Sequence, residues 1–127
     1  MTKQPRPQKL PSQTPRIPTP CGEVYVHVTF KDGLPFEVFA RLGKTGGCTS
    51  AVVEGITRSM SLGLRSGVDH RDLVKTLTGI RCHRNPAWDE GEMVHSCVDA
   101  IGRGLQEAVV LWETEQRGNV VPMVAAA

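Results

Sequence analysis

The stretch EVYVHVTFKDGLPFEVFARL, residues 23–42, decides the fold class. Apolar residues alternate with more polar ones in both of its halves: Val24, Val26, Val28 and Phe30, then Phe36, Val38, Ala40 and Leu42. A period of two is typical of strands that bury one face, and the Asp32–Gly33 pair between the halves is typical of a tight turn. The stretch therefore predicts an antiparallel β-hairpin from Glu23 to Leu42.

Helical spacing replaces this alternation further along the chain. It predicts a first helix, with Val52, Val53, Ile56, Met60 and Leu64 on its apolar stripe and its end at Ser66–Gly67. Asp69 is placed to cap a second helix. Ser96 is placed to cap a third, which has Asp99 in its first turn and is expected to end near Arg117–Gly118.

The segment HRNPAWDEGE, residues 83–92, separates the last two helices and is rich in turn-forming residues, so we expect a loop there. Taken together, these elements predict an α+β fold. One antiparallel β-hairpin packs against about three helices.

The two ends of the chain differ in composition from the middle. Residues 1–20 hold six of the nine prolines and no acidic residue, which predicts a disordered, basic tail. Residues 118–127 are mostly apolar, and we expect them to be disordered or packed on a partner subunit. The folded domain is then residues 21–117.

Charge and hydropathy narrow the function classes. Four of the 15 basic residues lie in the first segment, which leaves 11 against 13 acidic ones and no broad basic face for nucleic acid. No apolar run approaches the roughly eighteen residues that a membrane helix needs, and no signal peptide is visible. We expect a cytoplasmic protein that does not bind nucleic acid.

The Gly43–Lys44–Thr45 triplet looks like part of a phosphate-binding loop. A Walker loop needs another glycine where Val38 stands, in the middle of a strand, so that specific motif is excluded. A glycine turn that leads into a helix can still present backbone N–H groups to a small anion. A plain connecting turn is the alternative, and both remain open.

The four cysteines all lie near predicted element ends, where they can converge: Cys21, Cys48, Cys82 and Cys97. Four thiolates are a ligand set that zinc prefers, although the spacings here are longer than in Cys-x-x-Cys knuckles. Reduced structural cysteines and redox-active thiols are the alternatives. The four histidines are scattered, and no catalytic constellation is recognisable.

Five segments resemble the TSCPD domain, which occurs near the C-terminus of adenosylcobalamin-dependent ribonucleotide reductases and as small free-standing proteins. These are TPCGEVYVHV, GLPFEVFARLGKTGGCTSAVVEGITR, SLGLRSGV, LTGIRC and HSCVDAIGRGLQE. The motif that names the family corresponds to Ser96–Asp99, with Val98 in place of its proline and His95 in place of its threonine. The resemblance implies a link to ribonucleotide reduction without the reductase's radical barrel, and therefore a non-catalytic protein.

Two functions follow as hypotheses. The first is an accessory module that zinc stabilises and that binds a reductase or another protein of nucleotide metabolism. The second is an oligomer that binds or sequesters a nucleotide or nucleotide-derived signal, with contacts from Arg41, Lys44, Gly46, Gly47, Arg58, Arg65, Arg81, Arg84 and Trp88. Self-association is expected, because Phe39 lies on the hairpin's second face and the chain ends in an apolar segment.

Overall fold

The computed structural model describes residues 2–43 and 47–125, with side chains to residue 118. Its elements, in chain order, are β1 Ser12–Gln13, β2 Arg16–Thr19, β3 Gly22–Lys31, β4 Leu34–Leu42, α1 Gly47–Arg65, α2 His70–Leu77, β5 Ala87–Asp89, β6 Glu92–Val94 and α3 Cys97–Ala125. The predicted α+β class is confirmed by three helices, a four-stranded antiparallel sheet and a two-stranded one. Within the described ranges, no helix is long and apolar enough to cross a membrane.

The predicted hairpin is present as β3 and β4. Its turn is Asp32–Gly33, and both residues have positive φ angles, 55° and 81°, as a two-residue hairpin turn requires. The alternating valines of β3 are fully buried, and α3 packs over that face with Ile101 and Leu105. Phe30, at the end of β3, stacks on Trp112 with ring centroids 4.5 Å apart.

Residues 2–20 do not form the disordered tail that the composition of residues 1–20 predicted. β1 and β2 pair with β3 on the side opposite β4, and Ile17 is fully buried. Proline has no N–H group but keeps its carbonyl, so Pro11 and Pro15 accept hydrogen bonds from Phe30 and Val26 at 2.9 Å each. A proline-rich segment can therefore form a sheet edge.

Residues before β1 are also tied to the fold. The Gln4 N–H donates to the Arg65 carbonyl at 2.8 Å, and the Arg65 guanidinium donates back to the Gln4 carbonyl at 2.9 Å. Arg6 forms an ion pair of 2.8 Å with Glu37, which is 4% exposed. These contacts fasten the N-terminal segment across one end of the sheet's second face.

Helix α1 lies along the outer edge of β4. The Ser61 hydroxyl accepts from the Val38 N–H and donates to the Val38 carbonyl, both at 2.9 Å. The helix ends as predicted, because Gly67 has a φ of 102° and the Val68 N–H returns to the Gly63 carbonyl at 2.9 Å.

Helix α3 begins as predicted but ends later. The Ser96 hydroxyl accepts from the Asp99 N–H at 3.0 Å, which is the predicted cap. The helix continues to Ala125 and does not end near Arg117–Gly118. It approaches β3 so closely at Gly104 that a Cβ atom there would lie 2.5 Å from a Val26 methyl group.

The segment predicted as a loop, residues 83–92, contains most of a second hairpin. β5 and β6 pair across a turn at Glu90–Gly91, where both φ angles are positive. The pair Trp88 and Met93 faces outward from this hairpin, and Trp88 is 63% exposed.

Candidate functional site

Three of the four cysteines lie at one end of the four-stranded sheet. Cys21 precedes β3, and Cys97 is the first residue of α3. The Cys82 N–H donates to the His95 carbonyl at 3.3 Å, so the segments that carry Cys82 and Cys97 run side by side. All four cysteines of the chain are free thiols.

Electrostatics also link these three thiols. Burial raises the pKa of the Cys97 thiol above its ordinary value, and the nearby thiols of Cys21 and Cys82 add to the rise. Backbone N–H groups at the start of α3 act in the opposite direction but do not prevail. The direction of this shift opposes the activated thiolate that a helix N-terminus alone would favour.

Cys48 is placed differently, exposed in the first turn of α1. The Gly43 N–H donates to the Glu23 carbonyl at 3.1 Å, which brings the end of β4 beside the residues that follow Cys21. The connection from there to α1, residues 44–46, lies outside the described residues. Among the residues described, no group of three or more His, Cys, Asp and Glu side chains is arranged to hold a metal ion. As they lie, the thiols do not form a zinc ligand set, and the four-cysteine site stays a prediction.

Asp99, two residues after Cys97 in the first turn of α3, forms several hydrogen bonds. Its carboxylate is fully buried and accepts from the Gly79 and His95 N–H groups at 2.8 Å each, and from Arg103 Nε at 3.1 Å. Arg103 also donates to Glu92 at 2.8 Å. One side chain thus joins the end of α2, the connection after β6 and the first turns of α3.

The side chain of Ser96 is also hydrogen-bonded within the protein. Besides capping α3, its hydroxyl donates to the Ile80 carbonyl at 2.6 Å. Because the polar groups of Ser96 and Asp99 are engaged within the protein, they hold the cysteine-bearing segments in place. Both side chains are buried, Ser96 at 3% and Asp99 at 0% exposure.

A hollow of about 450 Å³ lies between β4 and the first half of α1. Arg41 and Arg58 both line it, together with Phe39, which is 47% exposed. Arg58 lies 3.5 Å from Glu54, an exposed ion pair of little energetic weight. Among the described residues, the Arg41 guanidinium has no hydrogen-bond or ion-pair partner.

A sequence profile of the TSCPD domain family matches residues 1–109 of the 127-residue chain. The chain belongs to the TSCPD domain family. This family is known from ribonucleotide reductases. Comparisons with curated proteins and with solved structures found no match. The matched range includes β1 and β2, in agreement with their place in the sheet of this TSCPD domain.

The structure distributes the predicted ligand contacts over several places in the TSCPD domain. Of the predicted contacts that the structure describes, Arg41 and Arg58 line the hollow. Lys44 and Gly46 lie outside the described residues, and Gly47 is the first residue of α1, with a φ of 71°.

The remaining predicted contacts do not line this hollow. Arg65 anchors the N-terminal segment, lies 3.8 Å from Glu37 and places its guanidinium over the Phe36 ring. Arg81 and Arg84 lie on the exposed connection after α2, and Trp88 lies on β5.

Sequence reasoning missed Tyr25 as a neighbour of this hollow. Tyr25 is 37% exposed and pairs across the sheet with Arg41, on the same face as Phe39. The alternation that predicted the hairpin also places these residues on the second face. Because that face was expected to be polar, Phe39 was identified as an apolar residue on it, and Tyr25 was not.

Proposed function

We propose that this TSCPD domain is a non-catalytic binding module linked to ribonucleotide reduction, whose partner is a reductase or another protein of nucleotide metabolism. The observation that carries the proposal is the hydrogen bonding of the two motif residues, Ser96 and Asp99, within the protein. Ser96 and Asp99 are bound to the backbone of neighbouring segments, and Asp99 is fully buried. A motif engaged in this way supports an architectural role for the motif and a binding role for the domain's surface.

An apolar hollow between α1 and α2 is suited to a protein partner. It measures about 600 Å³, and its aliphatic lining residues are Val52, Ile56, Met60, Leu73 and Leu77. Val52, at its rim, is 54% exposed. A hollow between two helices takes the apolar side of a partner helix, the recognition mode of many helix-in-groove complexes.

The test measures binding of the protein to an adenosylcobalamin-dependent ribonucleotide reductase by biolayer interferometry. Val52→Asp should weaken the complex at least about ten-fold, because a carboxylate would be desolvated in the contact. Leu62→Asp is the matched control, because Leu62 is 55% exposed on the same helix but does not line the hollow. Absence of a complex at about 50 µM, or equal loss in both variants, would contradict the proposed partner surface.

The non-catalytic part has its own test. The protein is incubated with ribonucleoside triphosphates, adenosylcobalamin and a dithiol, and deoxynucleotides are measured by chromatography. We expect no product above the protein-free control. Formation of deoxynucleotides by this protein alone would refute the proposal.

We also propose that zinc stabilises the domain through Cys21, Cys48, Cys82 and Cys97. The support is the meeting of the cysteine-bearing segments: the Cys82 N–H donates to the His95 carbonyl at 3.3 Å, and the Gly43 N–H, at the end of β4, donates to the Glu23 carbonyl at 3.1 Å. Binding would require the four sulfurs to draw together at about 2.3 Å from the metal. Native mass spectrometry of protein purified without added metal should find one zinc, which Cys82→Ser removes and His83→Ala retains. Four freely titrating thiols in metal-free, fully stable protein would contradict zinc binding.

A second candidate function is binding of a nucleotide by an oligomer, and the hollow beside β4 favours it. A volume of about 450 Å³ is in the range of small-molecule sites, and the Arg41 guanidinium, which has no ion-pair partner among the described residues, can meet a phosphate. Calorimetric titration with adenosine triphosphate should show binding that Arg41→Gln weakens. Arg84→Gln is the control, because Arg84 does not line the hollow. Equal affinities for all three proteins would refute this site.

The oligomeric part of this candidate rests on exposed apolar side chains of α3, such as Val110 and Leu111. A twofold dimer is the commonest outcome for a small domain of this kind. Light scattering coupled to size-exclusion chromatography measures it. A monomer at micromolar concentration would contradict self-association.

A further inference from the structure

The second face of the sheet presents two aromatic rings beside the hollow. Tyr25 pairs with Arg41 across β3 and β4, and His27 pairs with Phe39 in the next row. Tyr25 and Phe39 are therefore diagonal neighbours on one face, with Cβ atoms about 7 Å apart. At this separation both rings can contact the same flat ligand. Both are more than a third exposed, Tyr25 at 37% and Phe39 at 47%.

The neighbours of these rings bound the open area. On one side, Arg16 faces Tyr25 and is held in an ion pair of 2.9 Å with Glu23. On the other side, the row after Phe39 is closed by Glu37 and its partner Arg6. His27 is engaged with the Thr14 hydroxyl at 2.9 Å. The open part of the face is thus small, and Arg41 is the charged side chain on it that has no ion-pair partner among the described residues.

We propose that Tyr25 and Phe39 form a stacking platform for the base of a nucleotide whose phosphate meets Arg41 and Arg58 in the hollow. The proposal rests on the second candidate function and adds the base as a recognition element. A sheet that presents aromatic side chains on adjacent strands stacks bases on them, and a neighbouring arginine supplies charge for the phosphate. Because Phe39 lines the hollow and also lies on the platform, one ligand can span both.

The charge distribution favours a mononucleotide over a nucleic-acid strand or a second copy of the domain. The basic residues of the first segment that border the platform, Arg6 and Arg16, are ion-paired with Glu37 and Glu23, so among the described residues no run of unpaired basic side chains continues from the platform. A twofold dimer through this face would bring like-charged Arg41 side chains toward one another. An anionic ligand with a flat ring meets both features of the face.

The experiment compares two probes, adenosine 5′-monophosphate and ribose 5-phosphate, by isothermal titration calorimetry. The first should bind at least about ten-fold more tightly, because only it carries a base to stack. Phe39→Leu should weaken adenosine monophosphate binding by roughly five- to hundred-fold and leave ribose phosphate binding unchanged. Tyr25→Leu should act in the same direction, whereas Tyr25→Phe keeps the ring and should retain binding. Arg41→Gln should weaken both probes.

The possible outcomes separate the platform from the phosphate site. If Arg41→Gln weakens both probes alike while Phe39→Leu changes neither, the nucleotide-phosphate site stands and the platform is refuted. If neither probe binds, both fail. Phe39→Leu that lowers the dimer fraction without changing nucleotide affinity would assign the face to self-association. Tighter, strongly salt-dependent binding of a single-stranded oligonucleotide would assign it to nucleic acid. Circular dichroism of each variant checks that the fold is retained.

Discussion

Asp99 offers the sharpest test of how the domain is held together. Its carboxylate accepts three hydrogen bonds, two from backbone N–H groups and one from Arg103, and it is fully buried. Asp99→Ala removes all three acceptor contacts and leaves a small cavity. Asp99→Asn keeps the shape but replaces one acceptor oxygen with a donor, which would face an N–H group that also donates.

The expected loss follows from the bonds themselves. A hydrogen bond between neutral groups contributes about 1 kcal/mol, and one to a charged group about 1.5–3 kcal/mol. The backbone donors can reach water in part, and Arg103 keeps its contact with Glu92. We therefore expect Asp99→Ala to lower the free energy of unfolding by about 3–5 kcal/mol, and Asp99→Asn by about 2–3 kcal/mol. Such a loss is a large fraction of the 5–15 kcal/mol typical of a domain.

Urea unfolding, followed by far-ultraviolet circular dichroism, measures these differences. The matched control is Asp72→Asn, an exposed carboxylate in the first turn of α2, which should change stability by less than about 0.5 kcal/mol. A loss below about 1 kcal/mol for Asp99→Ala would refute the view that this carboxylate joins the three segments.

Two further predictions concern α3. Gly104→Ala should lower stability by about 1–3 kcal/mol, because its methyl group would lie 2.5 Å from a Val26 methyl, whereas Gly55→Ala, in open space on α1, should leave stability equal or slightly higher. Thermal melts compare the two, and matching melting temperatures would contradict the close approach. Burial, and after it the charges of two acidic neighbours, raise the pKa of the Glu107 carboxyl above its ordinary 4.5. The folded state therefore binds this proton more tightly than the unfolded chain, and stability falls as the pH rises above 4.5 through the raised pKa. Glu107→Gln should be the more stable protein at about pH 7 and equal to wild type at about pH 3, and lower stability at neutral pH would contradict the shift.

The hairpin turn and the helix caps could be predicted because each depends on residues that are close together in the sequence. The hairpin turn needs positive φ angles that Asp32 and Gly33 tolerate, and the caps of α2 and α3 depend on Asp69 and Ser96 within the same few residues. By contrast, the N-terminal strands depend on carbonyl groups of prolines, and composition does not reveal which strand those groups meet. β5 and β6 have three residues each, too few to show an alternation.

The candidate site was predictable only in part. The position of each cysteine near an element end was visible, but the burial that raises the pKa of Cys97 depends on tertiary packing. Arg65 had the residue type and helix position of an anion contact, yet it meets the Gln4 carbonyl, which lies sixty-one residues away in sequence. Long-range partners of this kind decide whether a charged residue is free for a ligand.

The Ser61 contact affects how the domain behaves in a crowded solution. A sheet edge with free N–H and C=O groups can recruit strands from other molecules and start aggregation. Here the hydroxyl of a helix residue occupies both backbone groups of Val38, and on the opposite side of the sheet β2 contains Pro18, which has no N–H to donate. Because the backbone groups at both edges are protected in this way, we expect the domain to resist strand exchange at high concentration or beside another folded unit. Ser61→Ala would leave the N–H and C=O groups of Val38 without this hydroxyl partner, while the apolar core stays intact.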